Sequence, residues 1–206
     1  MALVIMILAL LATDAFAGGD NFLMLRYETG ENIDTNEEVH GTYNVFENNS
    51  LDDWALGFRV ITGKNNFQMI SLHSFYKFKN GFQLGAKYDS DSLDHELIGP
   101  AFRYVGVIKG KVFTILDVAQ YFSTKDNHDK IDIWLHLSLV KKQGWYVGTE
   151  IWYYNVSGGI EKLHYRPIKI GYKFKNGLAP FIMPQLRWDD GEYRAKSILV
   201  GLDIRW

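Results

Sequence analysis

The sequence contains no cysteine, which excludes disulfides, thiolate metal sites, a cysteine nucleophile and a lipid anchor on cysteine. Proline is scarce, at 4 residues, and charge of one sign is missing: 22 Lys and Arg stand against 24 Asp and Glu, for a formal net charge of −2. There is accordingly no global basic field to hold a nucleic acid polymer, and no acidic tail. Beyond the N-terminal segment no apolar run approaches the roughly 20 residues that a membrane-spanning helix needs. No glycine-rich phosphate loop opens a helix, and the 6 His do not fall at metal-ligand spacing. Neither a cofactor nor a metal is expected.

What is present is aromatic and strand-forming. Phe, Tyr and Trp make up 15% of the chain, a mixture that favours strands over helices or disorder. At 206 residues the chain reads as one domain after its leader. Residues 3–12 form an apolar run that leads to Ala15-Phe16-Ala17, a small-x-small cleavage pattern, although no Lys or Arg precedes it. Residues 1–17 thus read as a secretory signal peptide and residues 18–206 as the exported domain.

From Asn21 onward apolar residues recur at period two, in segments of about ten residues cut by Gly, Asn, Asp and Lys, the pattern of a transmembrane β-barrel. The clearest segment alternates Ile131, Ile133, Leu135, Leu137 and Leu139 with Asp132, Trp134, His136 and Ser138. Short connections such as Lys79-Asn80-Gly81, Lys109-Gly110-Lys111, Lys142-Gln143-Gly144 and Lys175-Asn176-Gly177 alternate with polar stretches at 89–95, 123–130, 155–163 and 189–194. The expected architecture is all-β: a closed antiparallel barrel of about twelve strands, or ten if the weak early ones near 39–46 and 54–61 do not form. Both termini should lie with the short periplasmic turns, opposite longer extracellular loops. In the last strand Ile198, Val200, Leu202, Ile204 and the terminal Trp206 share one face, the ending that the barrel-assembly machinery of the bacterial outer membrane reads. On the same outward parity Trp54, Tyr88, Tyr104, Trp145, Tyr172 and Trp188 fall near strand ends, where membrane-interface aromatics belong.

The opposite face gathers Arg26, Glu28, Arg59, His73, Lys87, Arg103, Asp117, His136, Glu150, Lys169, Arg187, Asp203 and Arg205. A dry core could not bury so many charges, whereas a hydrated lumen can hold them or brace itself with them. The hairpin around Lys142-Gln143-Gly144 should pair Trp134 with Trp152, His136 with Glu150 and Ser138 with Gly148 on that inner face. Trp134, His136, Glu150 and Trp152 are therefore the candidate solute contacts, and Arg59, Arg103, Lys169 and Arg187 the groups that set charge preference. Two indoles beside a polar pair suit the flat face of a base or sugar, or simply fill the lumen.

The stretch from Ile131 to Leu137 with its hairpin, the aromatics Trp152-Tyr153-Tyr154 and the strand at 165–174 resemble the Tsx-like nucleoside-specific channels of outer membranes. That resemblance implies a twelve-stranded barrel that passes nucleosides passively. The inward Arg and Lys residues are also similar to those of the oligogalacturonate-specific porins, which implies an anion-preferring pore for acidic sugars. An enzyme alternative comes from His136-x-Ser138 with Glu150, since lipid A deacylases carry a His-x-Ser with a downstream Glu. Against it, no oxyanion-hole turn follows Ser138 and these residues face the lumen rather than the acyl chains. The reading is thus of an outer-membrane channel for passive diffusion of a small hydrophilic solute, not an enzyme, with a closed structural barrel as the remaining alternative. Its expected partners are that solute, membrane lipid and lipopolysaccharide, and the assembly machinery, with the channel acting as a monomer.

Overall fold

In the computed structural model the described residues are 21–33, 38–48, 51, 53–125, 128–139, 143–157, 159 and 161–205. The leader at 1–17 and Trp206 lie outside them. The described residues form twelve strands: β1 (Phe22–Asn32), β2 (Glu38–Asn48), β3 (Trp54–Thr62), β4 (Gln68–Lys77), β5 (Phe82–Asp91), β6 (Glu96–Ile108), β7 (Val112–Ser123), β8 (Lys130–Leu139), β9 (Gly144–Val156), β10 (Glu161–Lys173), β11 (Leu178–Asp189) and β12 (Glu192–Arg205). Each pairs antiparallel with its sequence neighbours, and β1 closes the cylinder on β12 from Phe22↔Arg205 to Asn32↔Ala195. Among the described residues closure leaves no edge strand, the condition for crossing hydrocarbon without unpaired backbone groups.

Side chains alternate as the sequence implies. In β4 the outward Ile70 and Leu72 are 49% and 51% exposed, while the inward Ser71 and His73 are buried. In β12 Ile198 and Val200 face out, and Ser197 and Leu199 face in. The outside is thus an apolar belt and the inside carries the charge, the inverse of a water-soluble barrel.

Part of the interior is filled. Phe75 and Tyr121 are fully buried with Ala55, Ala101 and Ala119. Phe75 fits because its two cross-strand partners are Ala55 and Gly85, the large-against-small pairing that packs a narrow barrel.

The early strands β2 and β3 form where expected, so the count is twelve and not ten. Turn chemistry explains the connections at the end that holds the termini. Phe78-Lys79-Asn80-Gly81 and Phe174-Lys175-Asn176-Gly177 repeat one turn: Gly81 and Gly177 sit at φ of +86° and +85°, and the Asn side chain accepts the backbone N–H two residues on. At the other end the strands run further into the polar stretches than their composition suggests, leaving only 92–95, 124–129 and 157–160 as connections. The stretch 189–194 shrinks to a two-residue turn. Asp190 and Gly191 both take positive φ, 52° and 78°, as a type I′ hairpin requires. The loops there are thus little longer than the turns at the opposite end.

Candidate functional site

The register at the β8–β9 hairpin is the one the sequence predicts: Trp134↔Trp152, His136↔Glu150 and Ser138↔Gly148. His136 and Glu150 do meet, with His136 Nδ1 donating to Glu150 Oε1 at 2.9 Å. The two indoles, however, pack on different neighbours. Trp134 tilts toward His136 at 6.1 Å, whereas Trp152 stands at 5.0 Å from His164, 5.2 Å from Tyr154 and 6.0 Å from Tyr43. The Trp152 indole N–H also donates to Asp132 at 2.7 Å.

Most of the inward charges sort into three clusters, while Arg187 pairs separately with Asp189 at 3.4 Å. In the first, Arg103 donates to Asp117 at 3.0 and 2.8 Å and also to Glu47. Lys87 pairs with Asp117 at 2.6 Å, His73 with Glu47 at 3.2 Å, and the Arg103 guanidinium lies 4.0 Å from the Phe75 ring centre. In the second, Lys130 pairs with Asp89 at 3.1 Å and Asp132 at 3.4 Å, and Arg59 approaches both carboxylates at 3.7 Å. Arg59 is further held by Ser71, to which its Nε donates at 3.1 Å. These two clusters bind strand to strand, so Arg59 and Arg103 brace the wall beside the filled half of the interior.

The third cluster centres on Glu150, which is 0% exposed. Arg26 donates from both terminal nitrogens, at 2.7 and 2.6 Å, and Arg166 Nη1 donates at 2.9 Å. One carboxylate therefore takes four hydrogen bonds from Arg26, Arg166 and His136. Below it Lys169 pairs with Asp203 at 2.6 Å, with its ammonium 3.8 Å from the Phe181 ring centre.

This cluster divides two cavities. The larger, about 630 Å³, opens at the end away from the termini. Six cations line it (Arg26, Lys64, Lys130, Lys162, Arg166 and Arg187) against the four carboxylates Glu28, Glu38, Asp89 and Asp91. The rings of Tyr43, Trp152, Tyr154 and His164 stand among them. Neither His164 ring nitrogen makes a hydrogen bond, and the Gln185 amide beside it is engaged by Arg166, Glu28 and Ser197. The smaller cavity, about 180 Å³, lies toward the end with the termini and is lined by His136, Ser138, Lys169 and Asp203 among others. At the outer rim Lys125 donates to Asp94 at 2.6 Å and pairs with Glu96 at 3.0 Å; these carboxylates push its ammonium up to about 12.

Of the residues expected to set charge preference, Arg187 lines the large cavity and Lys169 the small one, while Arg59 and Arg103 are engaged in the wall clusters. The sequence reading missed Lys162, His164 and Arg166. A steady period of two through Lys169 turns them outward, but the register shifts between Arg166 and Lys169. This bulge aims both Arg166 and Lys169 inward. Pro167, in the middle of a strand, was the available signal.

The aromatics expected at the interfaces lie at both ends. Trp54 packs on Tyr76 at 5.5 Å, Tyr104 on Phe82 at 5.2 Å and Trp145 on Tyr172 at 5.5 Å, all toward the termini. Trp188 packs on Tyr193 at 5.4 Å at the opposite end, where Tyr88 also lies.

The His/Ser/acid arrangement has its links in place, since the Ser138 hydroxyl lies 3.3 Å from His136 Nε2, itself bound to Glu150. The electrostatics run against hydrolysis. Glu150 already balances two guanidiniums, which leaves its carboxylate little potential with which to stabilise an imidazolium.

No protein-family model matches the sequence, and no curated protein does. Solved structures do. A KdgM porin matches with a TM-score of 0.63 at 13% identity, covering 90% of this chain and 99% of that one. The NanC porin matches at 0.65 and 9% identity, covering 88% and 100%. LpxR from Salmonella typhimurium matches at 0.55 and 8% identity, covering 90% and 100%. At such identities the likeness shows the shared barrel fold.

Proposed function

We propose that the chain is an exported outer-membrane channel through which a small hydrophilic solute bearing an acid group diffuses passively. The observation that carries this reading is the large cavity, where Arg and Lys donors stand beside a cluster of rings on one wall. Arg and Lys donors suit an acid group, while Trp152, Tyr154 and Tyr43 offer faces to the apolar side of a ring. Trp152 and Arg187 act as first contacts. His136, Glu150 and Lys169 form the narrow passage, and Trp134, Arg59 and Arg103 hold its wall.

The likeness to porins supports transport. A KdgM porin has also been solved in complex with disordered oligogalacturonate, and by chemistry an acidic sugar suits the Arg and Lys donors on the wall of this cavity better than a neutral nucleoside does. The nucleoside reading that follows from the Tsx-like resemblance keeps one specific observation, the flat surface of Trp152, Tyr154 and His164. In this account residues 1–17 direct export. The outward aromatics sit at the two membrane interfaces. The barrel enters the membrane through the assembly machinery and works as a monomer among lipid and lipopolysaccharide.

The test is recording from the refolded protein in a planar bilayer under a potassium chloride gradient. The reversal potential should shift toward chloride, and galacturonate oligomers should block at lower concentration than nucleosides. The reverse order of block transfers the assignment to nucleosides, and a membrane that never conducts removes the channel.

A further inference from the structure

Arg26 on β1 and Arg166 on β10 converge on one carboxylate. A guanidinium presenting two parallel donors to a carboxylate is the recognition geometry for any acid group, whether its own chain supplies it or not. Both arginines line the floor of the large cavity, whereas Glu150 comes from β9 and is wholly buried. The arginines are also held by groups other than Glu150. The Arg26 guanidinium lies 5.4 Å from the Tyr43 ring centre and 5.5 Å from that of Phe181. Arg166 Nε donates to Gln185 at 2.7 Å. Arg26 Nε is buried and has no acceptor, so this fork has a donor that Glu150 does not use.

We propose that the Arg26–Arg166 fork is a carboxylate-binding site and that Glu150 occupies it as a tethered stand-in for the carboxylate of the solute. The proposal rests on the channel reading above. An acid-bearing solute that reaches the cavity floor exchanges with Glu150 at the fork, and Glu150 stays with its other donor, His136, which lines the small cavity. Only hydrogen bonds and ion pairs change hands. Because one carboxylate replaces another, two buried guanidiniums are never left without a counter-charge, the state that would be most costly. The passage is shut by its own side chain when empty and yields to the class of solute it carries.

The experiment uses the folded full-length barrel in detergent and follows its thermal unfolding with sodium acetate or sodium chloride at equal ionic strength. Glu150→Ala should unfold at lower temperature than the parent, and acetate, but not chloride, should restore part of the loss with a saturable dependence. Adding Arg26→Met should abolish that response, and in the parent protein, where Glu150 competes for the fork, acetate should act only at a higher concentration than in the Glu150 variant. If Glu150→Ala does not fold, Glu150→Gln, which keeps the volume and an acceptor for His136, takes its place. Identical curves in acetate and chloride for the Glu150 variant would overturn the proposal. Unfolding needs no current, so the two readings separate. A parent that never conducts removes the channel while an acetate response keeps the fork, and a flat acetate response in a conducting protein does the reverse.

Discussion

Arg26 and Glu150 stand 124 positions apart in sequence and meet inside the barrel through two hydrogen bonds of 2.7 and 2.6 Å, both side chains fully buried. The contact spans the lumen from β1 to β9. It gives the interior a place where the path narrows to a single carboxylate, with a cavity on either side.

The wall clusters are structural in this account. Arg103→Met strands Glu47 and Asp117 in the buried interior, and breaking such a pair typically costs about 3–5 kcal/mol. Equilibrium unfolding in urea should show a loss of that order. Reversal potential and solute block should stay unchanged, because Arg103 lies off the path.

Trp134 and Trp152 should part company functionally. Trp152→Ala removes a ring from the large cavity and a donor from Asp132. It should raise the concentration of acidic sugar needed for half block by roughly tenfold, the scale of one lost ring contact of about 1 kcal/mol or more. Trp134→Ala, whose ring lies by His136, should leave that concentration within about twofold. Equal effects would contradict the placement of the two indoles.

Gly99 has no room for a side chain. A Cβ there would come within 1.7 Å of the Gln120 carbonyl oxygen and 2.8 Å of Tyr121 Cα, both backbone atoms that cannot swing away. Gly99→Ala should therefore destabilise the barrel by about 1–3 kcal/mol, seen as a lower midpoint in denaturant titration of the refolded protein.

The hydrocarbon-facing belt makes a position-dependent expectation. Leu72→Arg, at a mid-strand outward site, should cost about 2–4 kcal/mol when folding is measured into lipid vesicles. Leu93→Arg, at an exposed site in the connection 92–95, should cost close to nothing.

Much of this fold was legible because a barrel wall is a local code. Period-two alternation places Ile198 and Val200 outside and Ser197 inside, and the spacing of β8 and β9 in the sequence is enough to predict the pairing of His136 with Glu150 that they adopt. The code fails where strand geometry breaks. The bulge at Pro167 reverses the parity of Lys162, His164 and Arg166, and the Asp190-Gly191 pair makes a two-residue turn where polarity alone suggested a longer loop. Cross-lumen partners were out of reach for a different reason. Which inward carboxylate meets Arg26 depends on closure, strand tilt and side-chain reach, and none of these leaves a trace in nearby sequence.

The absence of cysteine makes the most direct measurement a clean one, because any single introduced thiol labels uniquely. Nitroxides attached one at a time from Ile182→Cys to Leu186→Cys along β11, in protein folded into lipid bilayers, report collision with oxygen or with a water-soluble nickel complex. The central claim is that the apolar face meets hydrocarbon and the charged face lines the lumen. We expect oxygen accessibility to rise and fall with period two, high at 182, 184 and 186 and low at 183 and 185. High nickel accessibility at 182, 184 and 186, or no alternation at all, would contradict it.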